Sequence, residues 1–380
     1  MTLPQPTHAR RLTVMQLLPA LESGGVERST LEIAEALVCA GHRAIVVSAG
    51  GRLVPRLLAS GAEHIELTIG RKSPSTLLHV FALRRLWTQL GVDLVHARSR
   101  LPAWIGLMAW RGLPESARPH WVTTVHGLNS PSRYSAVMTR GERVICVSDT
   151  VRDYVLQHYP DTDTDILRVI PRGIDPAAFA RAPSPDPQAR AWAASLHPAL
   201  AGDGPLLLLP GRGTRLKGHA DALTLLAALR ANGRDARLWL PGARADGREA
   251  YIAELEAQAQ ALGIDAAIAL TPPTDAIARA YAASDLVLQL SRKPEAFGRT
   301  VIEALSVGRP VLGWDHGGVG ELLARLQPRG AVAAFDQRAL HDAACELLTQ
   351  APAAVDTMAF SLRAMQEATL AVYAELVDTP

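Results

Sequence analysis

Apolar residues arrive in short dense runs separated by stretches of helical spacing, and this alternation organises the whole chain. The first run, LTVMQLLPAL (12–21), is almost continuously apolar, which predicts a strand buried on both faces of a sheet. A glycine turn, SGGVE, follows it. In RSTLEIAEALVCAG, Leu31, Ala34, Leu37 and Val38 recur at helical spacing and Gly41 ends the helix. AIVVSAG predicts the second strand. A helix over 54–60, HIELTI as a strand, a helix over 77–90, DLVHA as a strand and a helix near 102–110 continue the pattern. WVTTVHG, RVICVS and ILRVIPRG supply further strands. Alternation at this density predicts a parallel sheet with helices on both faces.

PAAFARAPSPDPQAR, rich in Pro and Ala, interrupts the pattern and reads as a linker. Beyond it the alternation restarts. PLLLLPG, ARLWLPG, AAIALT, DLVLQLS and PVLGW predict strands. HADALTLLAALRANG, YIAELEAQAQALG, DAIARAYAAS, VIEALSVG and residues 318–326 predict helices. The expected organisation is two consecutive α/β domains, 1–182 and 183–354, with a C-terminal helix at about 355–380 packing back onto the first. Their facing edges are expected to form a cleft. In open parallel sheets ligands bind beyond the carboxyl ends of the strands, so the loops there are where chemistry is expected.

Composition narrows the class. With 48% hydrophobic and 20% charged residues, the 380-residue chain is neither disordered nor collagen-like, and its length suits two cores. A net charge of +2 gives no basis for nucleic-acid binding. Residues 1–180 carry a balance of +5 and the remainder −3, so the first half can face an anionic substrate or membrane surface, or carry an ordinary solvated face. Cys39, Cys146 and Cys345 show no metal-ligand or disulfide spacing and read as small core residues in a reducing compartment. MTLPQPTHARR lacks the layout of a signal peptide and no apolar run reaches a membrane span, so a cytoplasmic protein is expected.

Two constellations carry chemistry. In SRKPEAFGRTVIEALSVGRPVLG (291–313), Glu295 lies in a loop after a strand and Glu303 lies eight residues later inside a helix. Phe297 and Gly298 place backbone N–H groups at the start of that helix, where orphan donors and the dipole favour phosphate. A carboxylate before the helix can accept from sugar hydroxyls, and one two turns along can take both hydroxyls of a ribose. In LPGRGTRLKGH (209–219), Arg212 and Lys217 can converge on one diphosphate; Lys217 is one of only three lysines among 39 basic residues. The loop is not a Walker A sequence, because Leu216 and Gly218 stand where Gly and Ser/Thr are required.

Three further turns are ambiguous on the residues alone. Gly24 and Gly25 in SGGVERS lack GxGxxG spacing; they either close on a ligand or make a plain tight turn, and Arg28 can meet an anion. His126 ends the strand in VTTVHG and is either structural or a sugar-positioning, catalytic group. Gly317 and Gly318 in HGGVGE offer backbone contacts to donor or acceptor, or simple loop geometry.

Together these residues resemble the retaining glycosyltransferases of family 4, over nearly the whole chain. The resemblance implies the GT-B fold, two Rossmann-like doubly wound parallel-sheet domains facing each other across a cleft. It also implies that Glu295 binds the donor sugar, Glu303 the ribose, Arg212 and Lys217 the diphosphate, and that His126 lies near the reacting sugar. His126, Glu295 and Lys217 are thus the candidate catalytic residues. Arg212, Lys217, Glu295, Phe297, Gly298 and Glu303 would bind a nucleotide-sugar, UDP-linked, with no further cofactor and no metal. The sequence departs from the family at IPRGID, where Arg172 replaces a frequent Asn, at Pro272-Pro273, and at Gly320, which replaces a Pro.

RKSPSTLLHV, RSRLPAWIG and SRYSAVMTRGE are similar to a bacterial subgroup acting on cell-envelope polysaccharide, which implies a lipopolysaccharide-core acceptor. The segment 98–111, with two tryptophans and basic flanks, either lies on an anionic inner leaflet near a lipid-linked acceptor or packs as a buried helix. Two rival activities fit the same architecture: a sugar-nucleotide epimerase and a non-catalytic sugar-nucleotide-binding protein.

Overall fold

The dense apolar runs become strands with both faces covered, because a strand with no polar face is stable only between two layers. A computed structural model of the protein describes residues 10–22, 24–184, 186–350 and 355–377. Expectations touching residues 1–9, Ser23, Pro185, residues 351–354 and residues 378–380 lie outside the described residues.

The chain forms two compact units, Met1–Gly173 with Leu362–Pro380, and Ile174–Ser361. The first contains β1 (Thr13–Leu17), β2 (Arg43–Ser48), β3 (Glu63–Glu66), β4 (Leu94–Ala97), β5 (His120–Val125), β6 (Arg143–Cys146) and β7 (Leu167–Val169). They form one sheet in the order β3-β2-β1-β4-β5-β6-β7, every pair parallel. The second contains β8 (Leu206–Leu208), β9 (Arg237–Pro241), β10 (Ile268–Thr271), β11 (Leu286–Gln289), β12 (Val311–Trp314) and β13 (Ala331–Val332). Its order is β10-β9-β8-β11-β12-β13, again all parallel. Strand order therefore reverses between β1 and β4, and again between β8 and β11. Each reversal opens a crevice at the carboxyl edge of its sheet. These are two Rossmann-like sheets of the GT-B fold.

The C-terminal helix Leu362–Val377 returns to the first unit and buries Met365, Val372, Tyr373 and Leu376 in the core under β1 and β2. At its end Glu375 accepts from Arg143 on β6 and Arg168 on β7, at 2.7 and 2.5 Å. The chain leaves the first unit at Gly173, and the Pro- and Ala-rich stretch packs on the second. Ala182 N–H donates to Val307 O at 3.1 Å, and Ser306 Oγ to Phe179 O at 2.8 Å. Within that stretch a helix, Pro187–Leu196, starts with proline at its first turn and the Asp186 carboxylate capping Ala189 N–H at 2.9 Å.

The structure corrects two sequence expectations, on the cysteines and on two helices, and decides between the two readings of 98–111. Cys39 is exposed at the end of the helix Gly25–Cys39; only Cys146 is fully buried, which pushes its thiol up to about 12. The helix Arg100–Arg111 turns Ala103, Ile105, Leu107 and Ala109 into the core, and Gly106 is so close to Trp121 that a Cβ there would lie 2.5 Å from the indole. Trp104 and Trp110 donate to the carbonyls of Tyr134 and Pro119. The 98–111 segment is thus a packed helix, not a membrane-facing one. The helices Asp149–His158 and Gln337–Thr349, not foreseen from apolar spacing, are capped by Ser148 and Asp336.

Hydrogen bonds from Arg143 and Arg168 hold the Glu375 carboxyl down at about 2, against 4.5 in an open chain. Its contribution is therefore complete above about pH 4.5 and lost as pH falls toward 2. Because the pair is partly exposed, Glu375→Gln should lower unfolding stability by only about 1 kcal/mol at pH 7. Urea melts should show that deficit shrinking by pH 3; an equal deficit at both pH values would contradict this account.

Candidate functional site

In the second unit the loops after β8 and β11 leave neighbouring strands at the reversal of strand order, so they must share the crevice there. The loop after β8 closes in a short turn, Arg215–Lys217, and passes through Gly218 at φ 76° into the helix His219–Ala231. Any Cβ at Gly218 would lie 2.0 Å from Leu290 O, which is how closely the two loops pack. Arg292 N–H closes them further by donating to Leu216 O at 2.8 Å.

This packing joins two of the expected residues. Lys217 Nζ donates to Glu295 Oε1 at 2.6 Å. The same carboxylate accepts from Ser291 Oγ at 2.5 Å and from Gln289 Nε2 at 3.2 Å. The next loop, after β12, joins the group. Gly317, at φ 59°, has no room for a side chain against Glu295 O, and Gly318 N–H donates to that carbonyl at 2.7 Å. His316 Nε2 meets Ser291 O at 2.8 Å. Arg212 is exposed, and its guanidinium has no partner among the described residues. It stands in the same loop as Lys217, a second cation available to an anionic ligand.

Gly298, at φ 100°, starts the helix Arg299–Val307 with no side-chain cap, so the first turn keeps donors available to a ligand. Phe297 beside it is buried, its ring 6.1 Å from that of Phe360. Glu303 sits deeper than a surface carboxylate, 7% exposed. It accepts from Tyr281 OH and from Arg299 Nε, both at 2.9 Å. Burial and then the Glu303 charge raise the Tyr281 hydroxyl well above its usual range, so it remains a donor. His219, buried at the start of the next helix and near Lys217, is lowered to about 4 and is neutral at physiological pH.

The first unit gathers a second polar group at the carboxyl edge of its sheet. His126 follows β5, Arg98 follows β4 and Arg172 follows β7. Arg98 is 3% exposed and donates to Gln16 Oε1 at 2.9 Å and Ser29 Oγ at 2.6 Å. Arg172 donates to Ser29 Oγ and to His126 Nδ1. Burial, then Arg172, Arg98 and His96, lower His126 well below its ordinary value. Gly24 and Gly25 lie at the exposed start of the helix Gly25–Cys39, and nothing lies within 4 Å of where a Cβ on Gly25 would stand.

Gln289, Ser291, Tyr281, Arg299 and Ser29 were not singled out from the sequence, and Arg98 stood out only as a basic flank of the 98–111 segment. A signal existed for two glutamines: Gln16 and Gln289 are polar interruptions in strands that are otherwise apolar, and a buried amide needs partners. Nothing in local spacing marks Ser29 or Tyr281.

Residues 23–178 match the family described as Glycosyltransferase Family 4, and residues 196–358 match Glycosyl transferases group 1. A D-inositol 3-phosphate glycosyltransferase of Xylanimonas cellulosilytica is 32% identical over 186 residues, covering 47% of this chain and 43% of that protein. The chain thus spans less than half the length of the curated relatives it matches. A glycosyltransferase from Rickettsia africae superposes with a TM-score of 0.85 at 28% identity, covering 98% of this chain and 100% of that one. Anabaena HepE, solved in complex with UDP and glucose, superposes with a TM-score of 0.79 at 21% identity over 96% of this chain and 100% of its own, a likeness of fold alone. Each half of the chain thus matches a glycosyltransferase family model of its own, and the whole chain is similar in fold to a glycosyltransferase of the same length.

Proposed function

We propose that this protein transfers a sugar, with retention of anomeric configuration, from a UDP-linked donor to a cell-envelope glycan, the lipopolysaccharide core. The observation that carries the reading is the Lys217–Glu295 pair at the strand-order reversal, with the unpartnered Arg212 in the same loop and an uncapped helix start at Gly298. A diphosphate supplies the anion those cations and N–H groups require. The UDP bound to the similarly folded HepE supports the choice of nucleotide.

In this reading Glu295 accepts hydrogen bonds from donor-sugar hydroxyls and Glu303 from the ribose. As the bond between the anomeric carbon and the diphosphate oxygen breaks, its electron pair leaves with the diphosphate, whose charge Arg212, Lys217 and the helix start stabilise. The acceptor hydroxyl attacks from the same face and its proton passes to the departing phosphate. His126 hydrogen-bonds the reacting sugar. The charge on the leaving group is met by side chains and backbone, so the reading requires no metal.

Lys217→Ala and Glu295→Ala should each reduce transfer on the order of 100-fold or more while the protein stays folded. UDP should raise the melting temperature of the wild type, and much less that of Lys217→Ala. Full transfer by both variants would sink the site assignment. Conversion of the donor to an isomeric sugar without acceptor would replace transfer by epimerisation.

For a lipid-linked acceptor we place the membrane contact, on the cytoplasmic face of the inner membrane, at residues 67–92. Leu77, Leu78 and Phe81 there are 52%, 67% and 67% exposed. Between Glu66 and Asp93 the chain has Arg71, Lys72, Arg84 and Arg85 and no acidic residue. Exposed apolar groups amid unopposed cations suit an anionic bilayer surface, and no described helix is long and apolar enough to cross one. The protein should sediment with anionic liposomes at low salt. High salt, or Leu78→Ser with Phe81→Ser, should each release it; no sedimentation at low salt would refute the contact.

A further inference from the structure

Among the described residues, His126 combines two features that a structural histidine does not need together. Its Nδ1 receives a hydrogen bond from the Arg172 guanidinium, and its Nε2 is buried with no hydrogen-bond partner. A guanidinium has only donors and no accessible neutral form, so the nitrogen facing it must offer a lone pair. A neutral imidazole with Nδ1 as acceptor carries its proton on Nε2. A buried N–H left without an acceptor is destabilising, and a ligand oxygen would relieve it.

We propose that Arg172 is a positioning residue that locks His126 in the tautomer protonated on Nε2, so that the ring presents a fixed N–H donor to a substrate oxygen and does not serve as a general base. This rests on the transferase reading for the identity of the substrate, but not for the tautomer.

The lock is held from behind. Arg172 also donates to Ser29 Oγ, which Arg98 Nη2 fixes from the other side at 2.6 Å. Arg98 Nη1 is anchored on Gln16 Oε1 at 2.9 Å, and Gln16 Nε2 donates to Thr30 O at 3.0 Å. The chain of bonds thus runs from β1 through the segment after β4 and the helix Gly25–Cys39 to the residue after β7. A guanidinium in this chain cannot rotate to reverse a hydrogen bond. An asparagine amide in its place could, because an amide offers either a donor or an acceptor. The donor-only guanidinium of Arg172 is what makes the tautomer single-valued.

The surroundings also keep the ring neutral. The titratable and charged groups bearing on it are Arg172, Arg98 and His96, from three separate stretches of chain. His96 is itself committed, with Nδ1 to Tyr373 OH and Nε2 to Thr124 Oγ1, each at 2.6 Å. With cations on two sides and little solvent, His126 binds a proton only well below the ordinary histidine range.

The test is long-range 1H–15N correlation of the imidazoles in the full-length protein labelled with 15N-histidine, His126 being assigned by its loss in His126→Gln. The wild type should show a protonated Nε2, an unprotonated Nδ1 and no titration of His126 from pH 8 down to pH 5.5. Arg172→Met should show mixed tautomers and a titration moved upward. Arg172→Lys, which also can only donate, should restore the Nε2–H tautomer and rescue part of the rate. In transfer assays Arg172→Met should lower kcat at least 10-fold with less than a 3-fold change in donor KM, and its kcat should gain an acidic limb absent from the wild type. A wild-type ring protonated on Nδ1, or an unchanged tautomer in Arg172→Met, would overturn the proposal whatever the activity. Correct tautomers in a protein without transfer would instead count against the transferase reading.

Discussion

Everything at the candidate site follows from strands that all run the same way. In a parallel sheet every carboxyl end lies on one edge, and the only place where two adjacent loops must diverge is where strand order reverses. Between β8 and β11 that divergence leaves the loop with Arg212 and Lys217 facing the loop with Glu295. Between β1 and β4 it gathers Gln16, Arg98 and Ser29. Candidate site groups far apart in sequence become neighbours because the hydrogen-bond ladder leaves them no other edge.

The two polar groups at the sheet edges handle charge in opposite ways. That of the second unit pairs opposite charges, Lys217 with Glu295 and Arg299 with Glu303. Such pairs can exchange partners for a ligand carrying both anionic and hydroxyl groups, since each carboxylate keeps other donors when its cation turns away. Glu295, for example, retains Ser291 and Gln289. The first unit instead places Arg98 and Arg172 on one hydroxyl, Ser29 Oγ, and next to a histidine that burial and those cations keep neutral. A site of the first kind holds charge; a site of the second kind orients uncharged donors.

The places where the sequence pattern was misleading or left two readings share a physical cause. The segment 98–111 fits an interfacial or a buried helix, because composition does not say which layer covers the apolar face; here Trp121 and the strands beneath it do. Helix Asp149–His158 buries only Val151 and Val155, too few apolar positions to mark a period, and depends on its Ser148 cap. The linker-like residues 183–190 hide a helix start, because proline and aspartate are equally the residues of a loop and of a first helical turn. Cys39 has apolar neighbours in sequence yet ends its helix on the exposed side.

The sequence by itself determined the alternation of strands and helices, the double repetition of that pattern, the loops bearing Arg212, Lys217, Glu295 and His126, and the helix bearing Glu303. These are set by local periodicity, glycine placement and residue type, which act within a few residues. Only the tertiary structure decided that Lys217 meets Glu295, that Glu303 accepts from Tyr281, and that Arg172 reaches His126. Those pairings depend on strand order, which sets the loops and helices beside one another. Long-range order of that kind is carried by the packing of whole layers, and no short stretch of residues contains it.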